Sequence, residues 1–277
     1  MIVNADSAQI YKDLRILSAA PRDEELKQAE HRLYGVRDGA LPCSAADWSQ
    51  LAQPEIARIH ASGGIAILVG GTGLYLKTLL EGIAPVPAID PEVRARVRET
   101  TVEENQKELG KLDPGAAARL NLADRARINR ALEVILSTGR TLREWHKGRE
   151  GGIANAVELR PIVLLPPRKW LYARCNERFS RMITQGAVSE VEALLLRKLN
   201  PSLPVMRAIG VRELSAYLLG GTSLDEAVAA GQQATRRYAK RQYTWFAHQP
   251  PPTWPRFREA LDLENIGEAL ALIGPKG

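Results

Sequence analysis

Four residues near the start of the chain, Asp6-Ser7-Ala8-Gln9, have the types and spacing that acid–base chemistry requires. They follow Ile2-Val3, an apolar β-branched pair that is typical of a buried strand. Open α/β sheets place their ligand crevice at the carboxyl ends of such strands. A carboxylate there could accept a proton from a nucleophile, and a carboxamide could pair with the donor and acceptor edge of a base. The alternative is that Asp6 or Ser7 caps the next helix.

A second candidate is Gly70-Gly71-Thr72-Gly73, which joins a predicted strand to a predicted helix. Its glycines let backbone N–H groups and a helix N-terminus approach an anion or a nucleotide closely, and Thr72 adds a hydroxyl. The spacing fits neither GxGxxG nor GxxxxGK[ST], and no such phosphate loop occurs elsewhere in the 277 residues. The alternative is an ordinary Gly-rich turn between a strand and a helix, which is common in proteins.

The predicted helix over residues 224–248 is strongly basic, with four cations close together at Arg236, Arg237, Lys240 and Arg241. Its predicted apolar stripe has seven-residue spacing and comprises Leu224, Gly231, Tyr238 and Trp245. At 100° per residue Arg237 and Arg241 flank this stripe, which makes them candidates for bidentate contact with phosphate. Arg236 and Lys240 point to the opposite side, which suits a nucleic-acid backbone or solvent.

Arginines recur elsewhere in the chain. Arg207 and Arg212 lie in the segment RAIGVRE, and the region 85–157 adds Arg94, Arg96, Arg98, Arg125, Arg127 and Arg130. The formal net charge is +6, from 38 Lys and Arg against 32 Asp and Glu. A basic middle region, basic C-terminal helices and an acid at a sheet edge together favour a large polyanionic partner.

The elements that must position these residues alternate along the chain. Apolar runs predict buried strands at Ile2-Val3, Ile65–Val69 and Ile162–Leu165, and helical patterns follow at 45–61, 74–80 and 170–184. Strands that alternate with helices indicate a parallel α/β sheet. Residues 85–157 contain no strand-like run and predict a helical insertion. Its best helix starts at Asp124, as N-cap, and stops near Gly139.

Composition limits the alternatives. The chain is 45% hydrophobic and 25% charged, which is ordinary for a soluble globular protein. Its two cysteines, Cys43 and Cys175, form no CxxC, so we expect reduced thiols and no metal ligands. No membrane span and no signal peptide are predicted, which indicates a cytoplasmic protein. The four histidines are scattered, and we assign them no catalytic role.

Five motifs in order resemble those of the bacterial tRNA dimethylallyltransferases: DSAQIY at 6–11, GGTGLY at 70–75, DRARINRALE at 124–133, RAIG at 207–210, and ATRRYAKRQ at 234–242 with TWF at 244–246. The resemblance extends from Ile2 to about His248. It implies an α/β fold with a P-loop NTPase-like parallel sheet flanked by helices, formed by residues 1–84 and 158–277, with the α-helical insertion 85–157 contacting tRNA. It also implies transfer of a dimethylallyl group from dimethylallyl diphosphate to N6 of the adenine 3′ of the anticodon, in tRNAs that read codons beginning with U. Mg²⁺ would help to hold the diphosphate, and the protein would act as a monomer on the anticodon stem-loop.

The resemblance also implies roles for single residues. Asp6 would be the general base, and Gln9 would help to hold the flipped-out adenine. Arg207 or Arg212 would neutralise the diphosphate, although Val211 replaces the tyrosine that is usual in this motif. The positions that match tRNA contacts are Asp6, Ser7, Ala8, Gln9, Thr72, Arg94, Ala126, Arg127, Ile128, Asn129 and Arg130.

One departure from the family concerns the beginning of the chain. The family has a strand and a Gly-rich phosphate loop before its DSxQ, and we expect that this first strand and P-loop are absent here, through a misplaced start, a gene truncation or a deliberate deletion. The alternative function is therefore an inactive, N-terminally truncated remnant that still binds RNA. A small-molecule P-loop kinase would share the sheet, but it would need neither the basic insertion nor the DSxQ.

Overall fold

The computed structural model describes residues 1–274 and divides the chain into two units. One unit combines Met1–Leu79 with the chain from Ala154 onward, and the other is Leu80–Ile153. The predicted insertion, 85–157, therefore begins and ends a few residues later than the unit that the structure shows.

The first unit begins with short strands and amphipathic helices in alternation: β1 (Ile2–Asn4), α1 (Asp23–Gln28), β2 (His31–Arg32), α2 (Ala45–Ala61), β3 (Ile67–Val69) and α3 (Gly73–Glu81). A capping box starts α2, in which the Ser44 side chain accepts from the Asp47 N–H. Trp48 on α2 is fully buried, and its indole N–H donates to the Asn4 carbonyl at 2.8 Å. This bond fixes α2 against the strand that precedes Asp6.

The second unit, Leu80–Ile153, contains helices and turns: α4 (Pro91–Glu99), α5 (Val102–Leu112), α6 (Pro114–Arg119), α7 (Arg125–Thr138) and α8 (Leu142–Trp145). Asp124 is the N-cap of α7, and Gly139 ends it in the left-handed conformation with φ 68°, as predicted. The core of this unit is a cluster of Val97, Leu109, Ala116, Ile128, Ala131 and Leu132.

The first unit resumes after a short 3₁₀ turn at Ala154–Ala156. Its remaining elements are β4 (Val163–Leu164), α9 (Arg168–Thr184), α10 (Ala187–Leu196), α11 (Val211–Leu218), α12 (Leu224–His248), β5 (Arg256–Phe257) and α13 (Ile266–Ala271), with a further 3₁₀ turn at Val205–Arg207. No helix in the described part of the chain is both long and apolar enough to cross a lipid bilayer.

The strands form two small parallel sheets. β1 lies between β2 and β3, with Ile2 opposite His31 on one side and opposite Ile67 on the other. β4 pairs with β5, which was not predicted from the sequence. The expectation of one sheet containing all three predicted strands is therefore wrong, because within residues 1–274 no strand joins β3 to β4.

β3 also differs from its prediction as a strand buried on both faces. It pairs only with β1 among the described strands, so one of its edges is open. On one face the exposed fractions of Ile65, Ile67 and Val69 are 75%, 52% and 49%. The apolar run favours the extended conformation, but burial depends on neighbours that the run does not specify.

The packing of α12 on α9 corrects the predicted apolar stripe. The buried residues of α12 are Ala227, Gly231, Thr235 and Ala239, at four-residue spacing, whereas Tyr238 and Trp245 are only half-buried. A Cβ on Gly231 would lie 2.1 Å from the ring of Phe179 on α9. The helices are therefore close enough that small residues face the partner, and the larger side chains lie beside the contact.

Candidate active site

The loop after β1 aims the Asp6 carboxylate. Asn4 is fully buried, and its side chain donates to the carbonyls of Leu33 and Asp6, both at 3.0 Å, and accepts from the Asp6 N–H at 2.8 Å. One carboxylate oxygen of Asp6, Oδ1, accepts from the Ala8 N–H at 2.8 Å. The other oxygen has no hydrogen-bond donor among residues 1–274. Asp6 does not cap a helix, because the next one begins only at Asp23.

The glycine-rich turn after β3 is fastened to this loop. The Thr72 N–H donates to the Ala5 carbonyl at 3.2 Å. The Thr72 hydroxyl accepts from the Ser7 N–H at 2.9 Å and donates to the Ser7 hydroxyl at 3.2 Å. The approach is closest at Gly70, where a Cβ would lie 2.2 Å from the Ala5 carbonyl. Glycine is therefore required at this contact, and the two predicted segments do meet.

Helix α12 closes the site from the other side. Gln242 donates to the Gly71 carbonyl at 3.0 Å, which ties the helix to the glycine-rich turn. Burial raises the pKa of Tyr238, and the nearby charge of Asp6 raises it further, while hydrogen bonds with Thr72 and Gln242 act in the opposite direction. The tyrosine hydroxyl therefore remains protonated beside Asp6 at neutral pH.

These segments enclose a cavity of about 600 Å³, within the range of small-molecule sites. Its charged lining consists of one carboxylate, Asp6, and three guanidinium groups, from Arg178 on α9, Arg207 and Arg241 on α12. Phe179, Met182 and Leu17 contribute apolar surface. The cavity thus combines a proton acceptor, an excess of positive charge and an apolar wall.

The cavity includes many of the residues that were predicted from the sequence, namely Asp6, Ser7, Ala8, Gln9, Arg207 and Arg241. Thr72 contacts it through Ser7. Arg212 is not in the lining, because it is exposed in the first turn of α11. Arg237 is also exposed and lies in a separate shallow depression along α12, beside Lys240 and Trp245. The sequence predicted both Arg237 and Arg241 as phosphate contacts and left open the choice between Arg207 and Arg212. The structure places Arg207 and Arg241 in the lining of the cavity.

Arg236 departs from its prediction as an outward-facing residue. Its guanidinium donates to the Asn176 side chain on α9 and is partly buried between the two helices. Lys240, its predicted companion, is exposed. The difference follows from the true buried face of α12, which is centred on Thr235 rather than on Tyr238.

Arg178, Tyr238 and Gln242 are among the residues of the site to which sequence reasoning assigned no role. Arg178 was not selected because the phase of α9 depends on its packing against α12. Tyr238 and Gln242 were selected only as parts of a stripe and a motif. Their four-residue spacing, which places both on one helix face, was the signal available in the sequence.

The Leu80–Ile153 unit contains the other predicted contact residues. Arg127 forms an exposed ion pair with Asp124, the N-cap of its own helix, at 3.3 Å. Three other arginines predicted from the sequence link separate segments of the unit, because Arg96 pairs with Glu108 at 3.1 Å, Arg98 pairs with Glu133 at 3.3 Å, and Arg125 donates to the Arg98 carbonyl. These three are therefore engaged in holding the unit together.

Arg94, Ala126 and Arg127 are exposed, and Arg130 is half-buried. Partial burial lowers the pKa of Arg130, Glu133 opposes this, and the positive charge of Arg94 adds to it. Arg94 and Arg130 thus lie close enough to form a shared patch of positive charge.

Ile128 and Asn129 are not part of that surface. Ile128 is fully buried in the core of the unit, and Asn129 accepts a hydrogen bond from Asn105 at 3.0 Å. Their side chains are therefore unavailable to RNA, because helical periodicity turns them inward while Arg127 and Arg130 face outward.

Mg²⁺ binds to oxygen ligands, chiefly those of carboxylates, phosphates and water. Among the residues that the structure describes, no three His, Cys, Asp or Glu side chains form a cluster. Asp6 is the cavity's carboxylate. The described residues therefore offer no cage of their own for a divalent cation.

Comparisons with known proteins identify the family of the chain. The sequence model of the IPP transferase family matches residues 9–249. The tRNA dimethylallyltransferase of Novosphingobium aromaticivorans is 57% identical over 274 residues, which covers 98% of both chains. That of Erythrobacter litoralis is 56% identical over 272 residues, covering 98% of this chain and 86% of the relative.

Two solved structures are also similar. The full-length tRNA isopentenylpyrophosphate transferase from Bacillus halodurans is 30% identical with a TM-score of 0.68, covering 97% of this chain and 85% of that one. A eukaryotic dimethylallyltransferase acting on tRNA is 24% identical with a TM-score of 0.81, covering 98% of this chain and 70% of that one, and supports the fold alone. Because the family model matches most of the chain and close relatives match nearly all of it, the chain belongs to the IPP transferase family.

Proposed function

We propose that the chain transfers a dimethylallyl group from dimethylallyl diphosphate to N6 of the adenine 3′ of the anticodon, in tRNAs that read codons beginning with U. The observation that carries this proposal is the pairing of one carboxylate, Asp6, with three arginines in a single cavity. An amine nucleophile needs a proton acceptor, and a diphosphate leaving group needs charge neutralisation. The names of the close relatives support the same reaction.

In the proposed step the adenine N6 attacks the first carbon of the dimethylallyl group. The bond between that carbon and the diphosphate oxygen breaks, and its electron pair leaves with the diphosphate. The proton released from N6 passes to Asp6. The fixed hydrogen bond from the Ala8 N–H to Oδ1 leaves the second carboxylate oxygen available for that proton.

Arg178, Arg207 and Arg241 would hold the diphosphate and stabilise the charge that develops on it as the bond breaks. Their positions on α9, on the 3₁₀ turn at Val205–Arg207 and on α12 surround the leaving group from separate elements. Apolar contacts with Phe179 and Met182 suit the dimethylallyl group and exclude water from the reacting carbon.

Mg²⁺ belongs to the proposal as an ion that arrives with the diphosphate and is coordinated chiefly by its oxygens. Mg²⁺ is commonly bound by one or two carboxylates together with substrate phosphates, and Asp6 is the carboxylate of the cavity.

The exposed arginines of the Leu80–Ile153 unit support tRNA as the partner. Arg94, Arg127 and Arg130 provide positive charge that can neutralise backbone phosphates of the anticodon stem. Extraction of the adenine from its stack costs a few kcal/mol, which contacts to the phosphates and within the cavity must offset.

The test is to incubate the purified protein with dimethylallyl diphosphate, Mg²⁺ and tRNA, digest the RNA, and identify modified nucleosides by mass spectrometry. The proposal predicts N6-dimethylallyladenosine at the position 3′ of the anticodon, and none when that adenine is replaced by guanine. Binding of tRNA without any transfer would contradict it and favour the inactive RNA-binding remnant.

A further inference from the structure

The orientation of the Gln9 carboxamide is fixed by two backbone carbonyls. Its Nε2 donates to the carbonyl of Ser18 at 3.1 Å and to that of Ala19 at 2.8 Å. Carbonyl oxygens can only accept, so the nitrogen and not the oxygen must face them. Both N–H groups of the carboxamide are thereby used.

The carboxamide oxygen remains available. Gln9 and Ser18 line the cavity, and no described residue donates a hydrogen bond to Oε1 of Gln9. A ligand in the cavity therefore meets Gln9 as a hydrogen-bond acceptor and not as a donor.

The two carbonyls depend on an unusual turn. Ala19 has φ 53°, in the left-handed region that residues other than glycine rarely adopt. Backbone bonds close the turn, from Ala19 to the Ile16 carbonyl and from Ala20 to the Arg15 carbonyl, both at 2.9 Å. A strained residue retained beside a cavity points to a functional demand on its conformation.

A distant side chain holds the base of this turn. The Glu190 carboxylate, on α10, accepts from the N–H of Ile16 at 2.7 Å and from the N–H of Leu17 at 2.9 Å. One carboxylate thus binds two successive backbone amides, with one oxygen to each. Charge-assisted bonds of this kind are among the stronger hydrogen bonds in proteins.

We propose that Glu190 and the left-handed turn at Ala19 lock the Gln9 carboxamide with its oxygen toward the cavity, so that the site selects a base carrying an exocyclic amine. The amine of adenine has two N–H groups, which match one acceptor on Asp6 and one on Gln9. The carbonyl at the same position in guanine would face two acceptors and be rejected. Gln9 is then a specificity-determining residue and Glu190 a positioning residue, and the inference rests on the proposed function.

The experiment compares the affinities of the protein for two anticodon stem-loop RNAs. One RNA carries adenine at the position 3′ of the anticodon, and the other carries purine, which lacks the exocyclic amine. The ratio of their Kd values measures recognition of the amine. Purine can make neither of the two amine hydrogen bonds, one of which is to the Asp6 carboxylate, so the parent protein should show a ratio of roughly 30-fold or more. Gln9→Ala should reduce this ratio. Glu190→Gln should reduce it too, because its carboxamide places a donor against one of the two backbone N–H groups.

The matched control for Glu190→Gln is Glu192→Gln, an exposed position on the same helix, which should keep the parental ratio. Thermal melts check that each variant is folded. Should Glu190→Gln fail to fold, Ala19→Val and Ala19→Gly serve instead, because only glycine adopts the left-handed conformation readily. The valine variant should lose the discrimination and the glycine variant should keep it.

A parental ratio in folded Gln9→Ala or Glu190→Gln protein would overturn the inference. Prenyl transfer by the parent protein to the adenine RNA is measured in the same preparation. Normal transfer with an unchanged ratio in the variants would refute the lock alone, whereas binding without transfer would refute the proposed function.

Discussion

Gly70→Ala should separate catalysis from RNA binding. A Cβ at this position would lie 2.2 Å from the carbonyl carbon and oxygen of Ala5, and 2.7 Å from the Asp6 N–H nitrogen. Ordinary van der Waals contact begins at 3.4 Å, so the Ala5–Asp6 peptide or the turn itself must move by about 1 Å. The atoms in the way belong to the backbone, and no side-chain rotation can relieve the contact.

A displacement of about 1 Å at a catalytic group can lower the rate about 100-fold. We therefore expect the single-turnover rate of Gly70→Ala to fall about 100-fold while its Kd for tRNA stays within a few-fold. Overpacking of this kind also costs about 1–3 kcal/mol, so the melting temperature should fall.

Gly71→Ala is the matched control. There the new Cβ meets Nε2 of Gln242 at 1.9 Å, but this atom ends a flexible side chain that can rotate away. The rate should fall by about tenfold or less, because Gln242 loses its bonds to the Gly71 carbonyl and to Tyr238 but the backbone that carries Asp6 does not move. The assay is single-turnover transfer at saturating tRNA, with Kd measured separately. A parental rate in folded Gly70→Ala protein would refute the reasoning.

Two further predictions concern the RNA surface and the helix that carries Gln242. In the first, Arg94, Arg127 and Arg130 are replaced together by alanine. The slope of log Kd against log salt concentration should flatten by about 0.7–0.9 for each phosphate that is no longer neutralised. An unchanged slope would show that other residues bind the RNA. Ser223→Ala removes the N-cap of α12 and should lower the free energy of unfolding by about 1 kcal/mol in chemical denaturation at pH 7. The Ser223 backbone N–H, followed by the hydroxyls of Thr222 and Ser223, lowers the pKa of Glu226 to about 2. The stability that the Glu226 carboxylate contributes is therefore present at neutral pH. It is lost as the pH falls from the ordinary pKa of a glutamate through about 2. The difference in free energy of unfolding between Ser223→Ala and the parent should shrink over that pH interval.

Local signals in the sequence were sufficient for the helices. The bounds predicted for α2 and α12 are confirmed at Ala45–Ala61 and Leu224–His248, because each begins at a serine cap that is visible in the sequence. The buried face of α12 could not be predicted, since it depends on the ring of Phe179 against Gly231. The predicted burial of β3 was also wrong, because an apolar run does not specify which strands or helices will cover it.

The residues of the candidate site likewise fall into those that the sequence could predict and those that it could not. Asp6 and Gly70-Gly71-Thr72 could each be placed at the carboxyl end of a strand from the sequence. Their meeting depends on the pairing of β1 with β3, which the sequence does not specify. The positions of Arg178 and Glu190 could not be predicted, since each depends on how a helix that is distant in the sequence packs. Glu190 contacts Ile16 across 174 positions of sequence, and no periodicity in the sequence reports such a bond.

The most direct test of the proposed mechanism is the single-turnover rate of Asp6→Asn with tRNA and dimethylallyl diphosphate, measured together with its Kd for tRNA. Asparagine preserves the shape and the acceptor for the Ala8 N–H but cannot take up the amine proton. We expect a rate lower by about 10² to 10⁴ with a Kd within a few-fold of the parent, because a general base acts on the transition state more than on ground-state binding. An unchanged rate would contradict the assignment of Asp6 as the base and, with it, the interpretation of this cavity as the active site.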